Sequence, residues 1–429
     1  MTTSIAFSTE DAAFIRDFRI MSQFGSTENG GVDRQAASAP DGEQRRWLTG
    51  LLKSRGFTVQ FDRAGNQWGL YDVVPGAPYV VVGSHMDSQP TAGRYDGAYG
   101  VLAAAHAAFR LKAKWGSTGP ESQPRFNIAV VNWFNEEGSR FKPSMMGSSV
   151  YTGKLDLETA MATKDAGGVS VREALDAIGC RGDYEGPEAA FCAEIHIEQG
   201  RSMEREGITI GLVHSNWAAN KYEFVVHGEQ AHTGSTVIAD RKDALLGASM
   251  MVVAARELAD KFPGVLHTSV GQLTVYPNSP VVVPSRVSLL LDLRSADESV
   301  LSEADALLHQ RIAAIERLAN VTVERNHSHS WPVTPYQPEG VELAGKVAAG
   351  LGLSNKQVMT LAGHDSTNMK DIVPTVMLFV PSVDGISHNE HEYTTDEDIV
   401  AGLTMLTEVA SRLCNGDLVR GSTERNLRP

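Results

Sequence analysis

Two stretches of this chain carry metal-ligand side chains at spacings that a strand and the loop after it can use. Gly83-Ser84-His85-Met86-Asp87 follows the apolar run Tyr79–Val82 and leads, eleven residues after the histidine, to Asp96 in Tyr95-Asp96-Gly97. On extended backbone His85 and Asp87 share a face, so the carboxylate is placed to orient the imidazole, as carboxylates do for metal-bound histidines. Asp96 then reads as a ligand itself. Either fragment alone reads equally as a solvated loop rich in Gly and Ser. The second stretch, Asn135-Glu136-Glu137-Gly138, ends the apolar run Ile128–Phe134. Adjacent side chains on extended backbone point apart, so one carboxylate can bind a metal while its neighbour faces a substrate as general base. A charged exit from a strand explains the pair equally.

Glu194-Ile195-His196-Ile197-Glu198-Gln199-Gly200 sets a histidine inside an apolar strand, and Gly385-Ile386-Ser387-His388 follows the apolar run Val376–Val380. Each histidine by itself reads as a satisfied core residue, whereas four strand-end sites together form a coherent dinuclear oxygen and nitrogen site. Cysteine plays no part in this reading. Cys180, Cys192 and Cys414 are too few and too scattered for a thiolate site or a disulfide framework.

The elements that must position these groups alternate as in an α/β layer up to about Val213. Amphipathic stretches occur near Thr9–Gln23 and Gly42–Ser54, apolar runs at Tyr79–Val82, Phe126–Phe134 and Phe191–Ile195, and an alanine-rich helix at Ala98–Lys112. From Lys221 to Glu324 the order becomes β-α-β-β-α-β, the ferredoxin-like unit, read as an insertion. Pro332, Pro335 and Pro338 mark the return, and the tail completes the first domain. The expected boundaries are 1–213 and 331–429 for the α/β domain and 214–330 for the insertion.

With 429 residues, 42% hydrophobic and 21% charged, the chain is long enough for more than one core. Its net charge of −14 has no basic block, which argues against nucleic acid or an anionic membrane as partner. No window is apolar enough to span a bilayer, and Glu10 and Asp11 stand where a signal peptide is apolar, so the expected location is cytoplasmic.

Taken together, these motifs resemble the dinuclear-metal amidases that include N-carbamoyl amino acid hydrolases, β-ureidopropionase and allantoate amidohydrolase, within the wider group of zinc aminoacylases and exopeptidases. The resemblance runs over nearly the whole chain and also rests on Gly93-Arg94-Tyr95-Asp96-Gly97, Ala231-His232-Thr233-Gly234 and Gly363-His364-Asp365. It implies an α/β, aminopeptidase-like catalytic domain with an inserted ferredoxin-like lid and dimerisation domain. It implies His85, Asp96, Glu137, His196 and His388 as ligands of two divalent ions, Asp96 bridging, and Glu136 as base with Asp87 beside it. Zinc comes first, with manganese, cobalt or nickel as alternatives. Gln199, His232, Asn278, Arg294 and Gly363 would meet the substrate, with His232 serving a partner subunit's site. Arg294 in particular favours a substrate with a free carboxylate, because a guanidinium fork matches one.

The activity so implied is hydrolysis of the linear C–N bond of an N-carbamoyl-L-amino acid or N-carbamoyl-β-alanine to amino acid, carbon dioxide and ammonia, by a homodimer. Allantoate or N-acyl amino acid hydrolysis is the alternative, and a non-catalytic metal-binding scaffold is disfavoured by the intact Glu136. Arg201, Trp217 and Val237-Ile238 depart from the family's pattern and bear on substrate identity.

Overall fold

Runs with β-branched residues on both faces suit strands buried between helices. The computed structural model describes residues 7–117 and 123–418. Along the chain the strands are β1 (Thr58–Phe61), β2 (Gln67–Tyr71), β3 (Tyr79–His85), β4 (Asn127–Trp133), β5 (Ala189–Ile197), β6 (Ile210–Asn216) and β7 (Ala218–His227). They continue as β8 (Ala231–His232), β9 (Leu266–Tyr276), β10 (Val282–Val283), β11 (Arg286–Ser295), β12 (Thr322–Trp331), β13 (Asn355–Thr360) and β14 (Thr375–Val380).

An eight-stranded sheet has the order β1-β2-β4-β3-β5-β14-β6-β13. Its centre, β4-β3-β5-β14, is parallel, and β1–β2, β2–β4 and β6–β14 pair antiparallel. Loops at the carboxyl ends of parallel strands open on one edge, where open α/β sheets place their ligands. The four candidate stretches leave from those ends. His85 closes β3, Glu136 and Glu137 follow β4, His196 is near the end of β5, and His388 lies beyond β14.

One layer over this sheet is made by helices Ala98–Ser117 and Asp396–Cys414. The alanine-rich sequence of the first both favours helix and allows close approach. A Cβ at Gly100 would lie 2.2 Å from the Ile195 carbonyl oxygen on β5, so only glycine permits this contact. The C-terminal helix begins at Thr395, whose hydroxyl accepts the Asp398 amide at 3.1 Å. On the helix Ala39–Ser54, Asp41 and Arg45 form an ion pair at 2.9 Å with both side chains fully buried. From the same helix Gln44 Nε2 donates to the Met86 carbonyl at 2.7 Å, and Arg34 Nε donates to it at 3.2 Å. Two buried side chains thus fix the turn between His85 and Asp87.

The chain divides into two units, the second comprising Ser215–Pro335 with Met359–Ala362. The insertion expected over 214–330 thus runs to Pro335. It also takes in a later segment, because Trp217 N–H donates to the Thr360 carbonyl at 2.8 Å. Within this unit an antiparallel sheet of order β12-β7-β11-β9 carries helices Ala244–Lys261 and Glu298–Ala319, the ferredoxin-like arrangement. Along β11 the side chains of Val287, Leu289, Leu291 and Leu293 are buried, and the alternate positions face the other way. The strands β1, β2 and β13 have no sequence expectation, since TVQF, QWGLY and NKQVMT lack the continuous apolar run that marks β3 and β14. Among the described residues no helix is long and apolar enough to cross a membrane.

Removing one member of a buried pair leaves the other as an uncompensated charge. Asp41→Ala should therefore lower unfolding stability by about 3–5 kcal/mol, read from urea denaturation of the metal-free protein. A loss below about 1 kcal/mol would show that Arg45 finds another partner.

Candidate metal centre

Two groups of ligand-type side chains share one carboxylate. His85, Asp96 and His196 form the first, and Asp96, Glu137 and His388 the second, with the ligand atoms of each group within 4.8 Å of one another. Asp96 Oδ1 lies 2.9 Å from His196 Nε2 and 3.4 Å from His85 Nε2, and its Oδ2 lies 3.3 Å from His388 Nε2. Glu137 Oε2 is 3.4 Å from the same His388 nitrogen, and Glu136 Oε2 is 3.5 Å from His85 Nε2. Asp96 occupies the turn before helix Ala98–Ser117. The following Gly97 has φ +61°, and a Cβ there would sit 2.3 Å from the His85 ring. Only glycine lets the turn approach the imidazole.

The imidazoles are oriented by backbone. His196 Nδ1 lies 2.9 Å from the Ile197 carbonyl and His85 Nδ1 lies 3.1 Å from the Asp87 carbonyl, so in both rings Nε2 faces the carboxylates. This corrects the expected role of Asp87. Its carboxylate stands 3.6 Å from His85, too far for a hydrogen bond, and instead accepts the amides of Glu136 at 3.2 Å and Glu137 at 3.3 Å. Asp87 orients the histidine by main chain and the two glutamates by side chain.

Electrostatics at the site are those of crowded buried acids. Burial pushes Glu136 well above the carboxylate range, with Asp365, Glu137 and Asp87 adding to it and His85 opposing. Burial and the Asp96 charge push Glu137 up to about 7. Burial would also raise Asp96, but His196, His388 and His85 hold it well below its ordinary value. Burial would lower His388, yet Asp96 and Glu137 carry it to about 9. These shifts share one cause, a demand for positive charge among acids removed from water. Divalent cations meet that demand, and the donor set fits them. All donors are nitrogen or oxygen, Nε2 of His196 and Oδ1 of Asp96 confront each other, and Glu137 Oε1 is buried without a hydrogen-bond partner.

Gln199 donates to Asp96 Oδ2 at 2.7 Å and to Ser387 Oγ at 3.1 Å, so its amide faces the candidate ligand Asp96. Gly363 belongs to the same unit, where an added Cβ would lie 3.2 Å from Met145. His232, Asn278 and Arg294 belong to the second unit. His232 Nδ1 accepts the amides of Gly234 at 2.9 Å and Ser235 at 3.1 Å, which leaves the proton on Nε2. Asn278 is exposed, with φ +53°. Arg294 is already engaged within its own unit. Nε and Nη2 engage Asp292 at 3.1 and 2.8 Å, and Nη1 donates to the Leu361 carbonyl at 2.6 Å. Asp292 precedes it by two residues and therefore shares its strand face.

Several side chains around the centre had no role assigned from sequence. Gln89 Nε2 donates to Glu137 Oε2 at 2.9 Å, and Ser84, next to His85, donates to buried Glu194 at 2.7 Å. Asp365, fully buried, accepts the Ser148 hydroxyl. An amide or acid inside a ligand motif is the one sequence signal that points to Gln89 and Glu194.

Because Asp96 belongs to both groups, Asp96→Ala should lose both metal equivalents, and His196→Ala should lose one. Elemental analysis of the reconstituted proteins checks this, and two retained ions in Asp96→Ala would refute the shared carboxylate.

Comparison with known proteins gives this geometry a lineage. Residues 81–412 match the model of peptidase family M20/M25/M40. A Mycolicibacterium smegmatis protein named only as a hydrolase is 58% identical over 95% of this chain and 94% of its own. An N-carbamoyl-L-amino-acid amidohydrolase of Rhizobium meliloti is 35% identical over 90% of this chain and 92% of its own. An allantoate amidohydrolase of Bacillus subtilis is 30% identical over 92% and 95%. Among solved structures, a hydantoinase/carbamoylase family amidase from Burkholderia vietnamiensis superposes with a TM-score of 0.88 at 35% identity, over 96% of this chain and 99% of that one. The chain belongs to peptidase family M20/M25/M40, among its hydantoinase/carbamoylase amidases, and is a hydrolase acting on carbon–nitrogen bonds.

Proposed function

We propose that this hydrolase cleaves the linear C–N bond of an N-carbamoyl amino acid, releasing amino acid, carbon dioxide and ammonia. The observation that carries the reading is the shared carboxylate Asp96 between two ligand groups with Glu136, which belongs to neither group, beside them. The similarity to carbamoyl amino acid amidohydrolases supports the substrate class. His85, Asp96 and His196 would hold one divalent ion and Asp96, Glu137 and His388 the other, with zinc first and manganese, cobalt or nickel as alternatives. Bound there, the ions supply Lewis acidity and a more acidic water.

The chain's own residues then do the following. Glu136, beside His85 and outside both ligand groups, takes the proton of the attacking water and delivers it to the leaving nitrogen. Asp87 fixes the Glu136 backbone through its amide. His232, with its proton on Nε2, donates to the developing oxyanion. The carbamate fragment left by cleavage falls to carbon dioxide and ammonia. Gln199, Asn278 and Gly363 are assigned to substrate contact. Asp292 occupies the Nε–Nη2 edge of Arg294, so that guanidinium meets a substrate carboxylate with its remaining Nη hydrogens.

The second unit serves as lid and as the interface of a homodimer. Its edge strand β9 supports the second role, with eleven residues lacking both proline and formal charge. Such an edge is a template for pairing with another strand.

Ammonia release by the zinc- or manganese-loaded protein against N-carbamoyl, N-acyl and ureido acids should give the highest kcat/KM for an N-carbamoyl amino acid. Turnover confined to N-acyl substrates, or to allantoate, would overturn the assignment. Chelation should abolish activity while far-UV circular dichroism is retained. Glu136→Gln should keep both ions and lose about 10²–10⁴-fold in kcat, whereas Glu137→Gln should lose metal. Equal metal loss in the two variants would reverse the roles of base and ligand.

A further inference from the structure

Glu392 is an acid with no assigned role, only 3% exposed, in the loop that carries His388. Its Oε1 accepts the amides of Tyr95 at 2.8 Å and Asp96 at 3.0 Å, and its Oε2 lies 2.9 Å from Ser387 Oγ. Ser387 Oγ in turn lies 3.0 Å from Asp96 Oδ2. Glu392 thus holds Asp96 directly at its amide, and the Ser387 hydroxyl, with its single proton, sits between the Glu392 and Asp96 carboxylates. The approach is tight. A Cβ at Gly93 would fall 2.1 Å from the Glu392 carboxyl carbon, so the Gly93–Asp96 turn wraps directly against this side chain. The same loop holds His388 at φ +53°, a conformation that surrounding bonds must enforce. Glu390, bonded to Thr27 and to Asn29 at 3.0 Å, secures its other side.

We infer that Glu392 is a positioning residue for the dinuclear centre, setting the plane of the Asp96 carboxylate and the place of His388 through Ser387 and two backbone amides. The inference rests on the metal reading proposed above. Its physical basis is that a bridging carboxylate serves two ions only at one orientation. Oδ1 must face His85 and His196 while Oδ2 faces His388, and rotation of the plane serves one group at the expense of the other. Without Glu392 the Asp96 amide and the Ser387 hydroxyl lose their common anchor. A glutamine would replace it well, because its amide oxygen accepts both N–H groups and its NH₂ donates to Ser387, freeing that hydroxyl's proton for Asp96.

The test is titration of Zn²⁺ into metal-free protein against a competing chromophoric chelator, with circular dichroism and thermal unfolding of each metal-free variant. Wild type should take two equivalents. Glu392→Ala should weaken at least one of them by about 10–100-fold. Glu392→Gln should restore binding to within a few-fold of wild type, which a purely charge-based role would not permit. Ser387→Ala, which leaves the backbone bonds of Glu392 in place, should weaken binding in the same direction and answers the question if Glu392→Ala fails to fold. Wild-type affinity in folded Glu392→Ala, or in Ser387→Ala where Glu392→Ala does not fold, overturns this inference alone. So does a glutamine variant as weak as the alanine one. A wild type that binds fewer than two ions overturns the dinuclear reading and this inference with it.

Discussion

Asp87, Asp96, Glu136 and Glu137 are all buried or nearly so, and each like charge raises the cost of ionising the next. A fold that depended on its core alone would have no reason to gather them. The upward shift of the glutamates and the downward shift of Asp96 arise from one balance, in which the imidazoles around Asp96 supply only part of the positive charge that the acids require. Cations complete it. Most of the surrounding architecture serves to keep these groups close despite their mutual repulsion.

That restraint begins with rigid elements. His85, the Glu136–Glu137 pair and His196 stand at or just beyond the ends of adjacent parallel strands, whose registers fix their separation before any side-chain contact is made. Helix Ala98–Ser117 lies close enough for Gly97 and Gly100 to touch the His85 ring and β5. Backbone carbonyls then choose the imidazole nitrogen that faces the acids, which leaves the Asp87 carboxylate free to accept the Glu136 and Glu137 amides. A short-range main-chain partner cannot rotate away, so the tautomer is set by the fold.

The candidate groups are divided between the two units of the chain. The ligand groups and Glu136 belong to the α/β unit, while His232 and Arg294 belong to the ferredoxin-like one. Arg294 shows how a local bond engages a guanidinium. Asp292, two positions earlier on the same strand face, engages the Nε–Nη2 edge and reduces what is left for a ligand.

The sequence by itself determined which His, Asp and Glu residues follow apolar runs at strand ends, because an apolar run followed by such a residue is local information. It also carried the β-α-β-β-α-β order of the insertion, since that order is written in period and length. Only the tertiary structure decided that Asp87 binds the Glu136 and Glu137 amides, that Asp292 claims Arg294, and that Glu392 grips a turn 296 residues away. The reason is physical. A hydrogen bond between remote segments leaves no periodic or compositional trace, and it comes into being only when packing brings a donor and an acceptor within about 3 Å of each other.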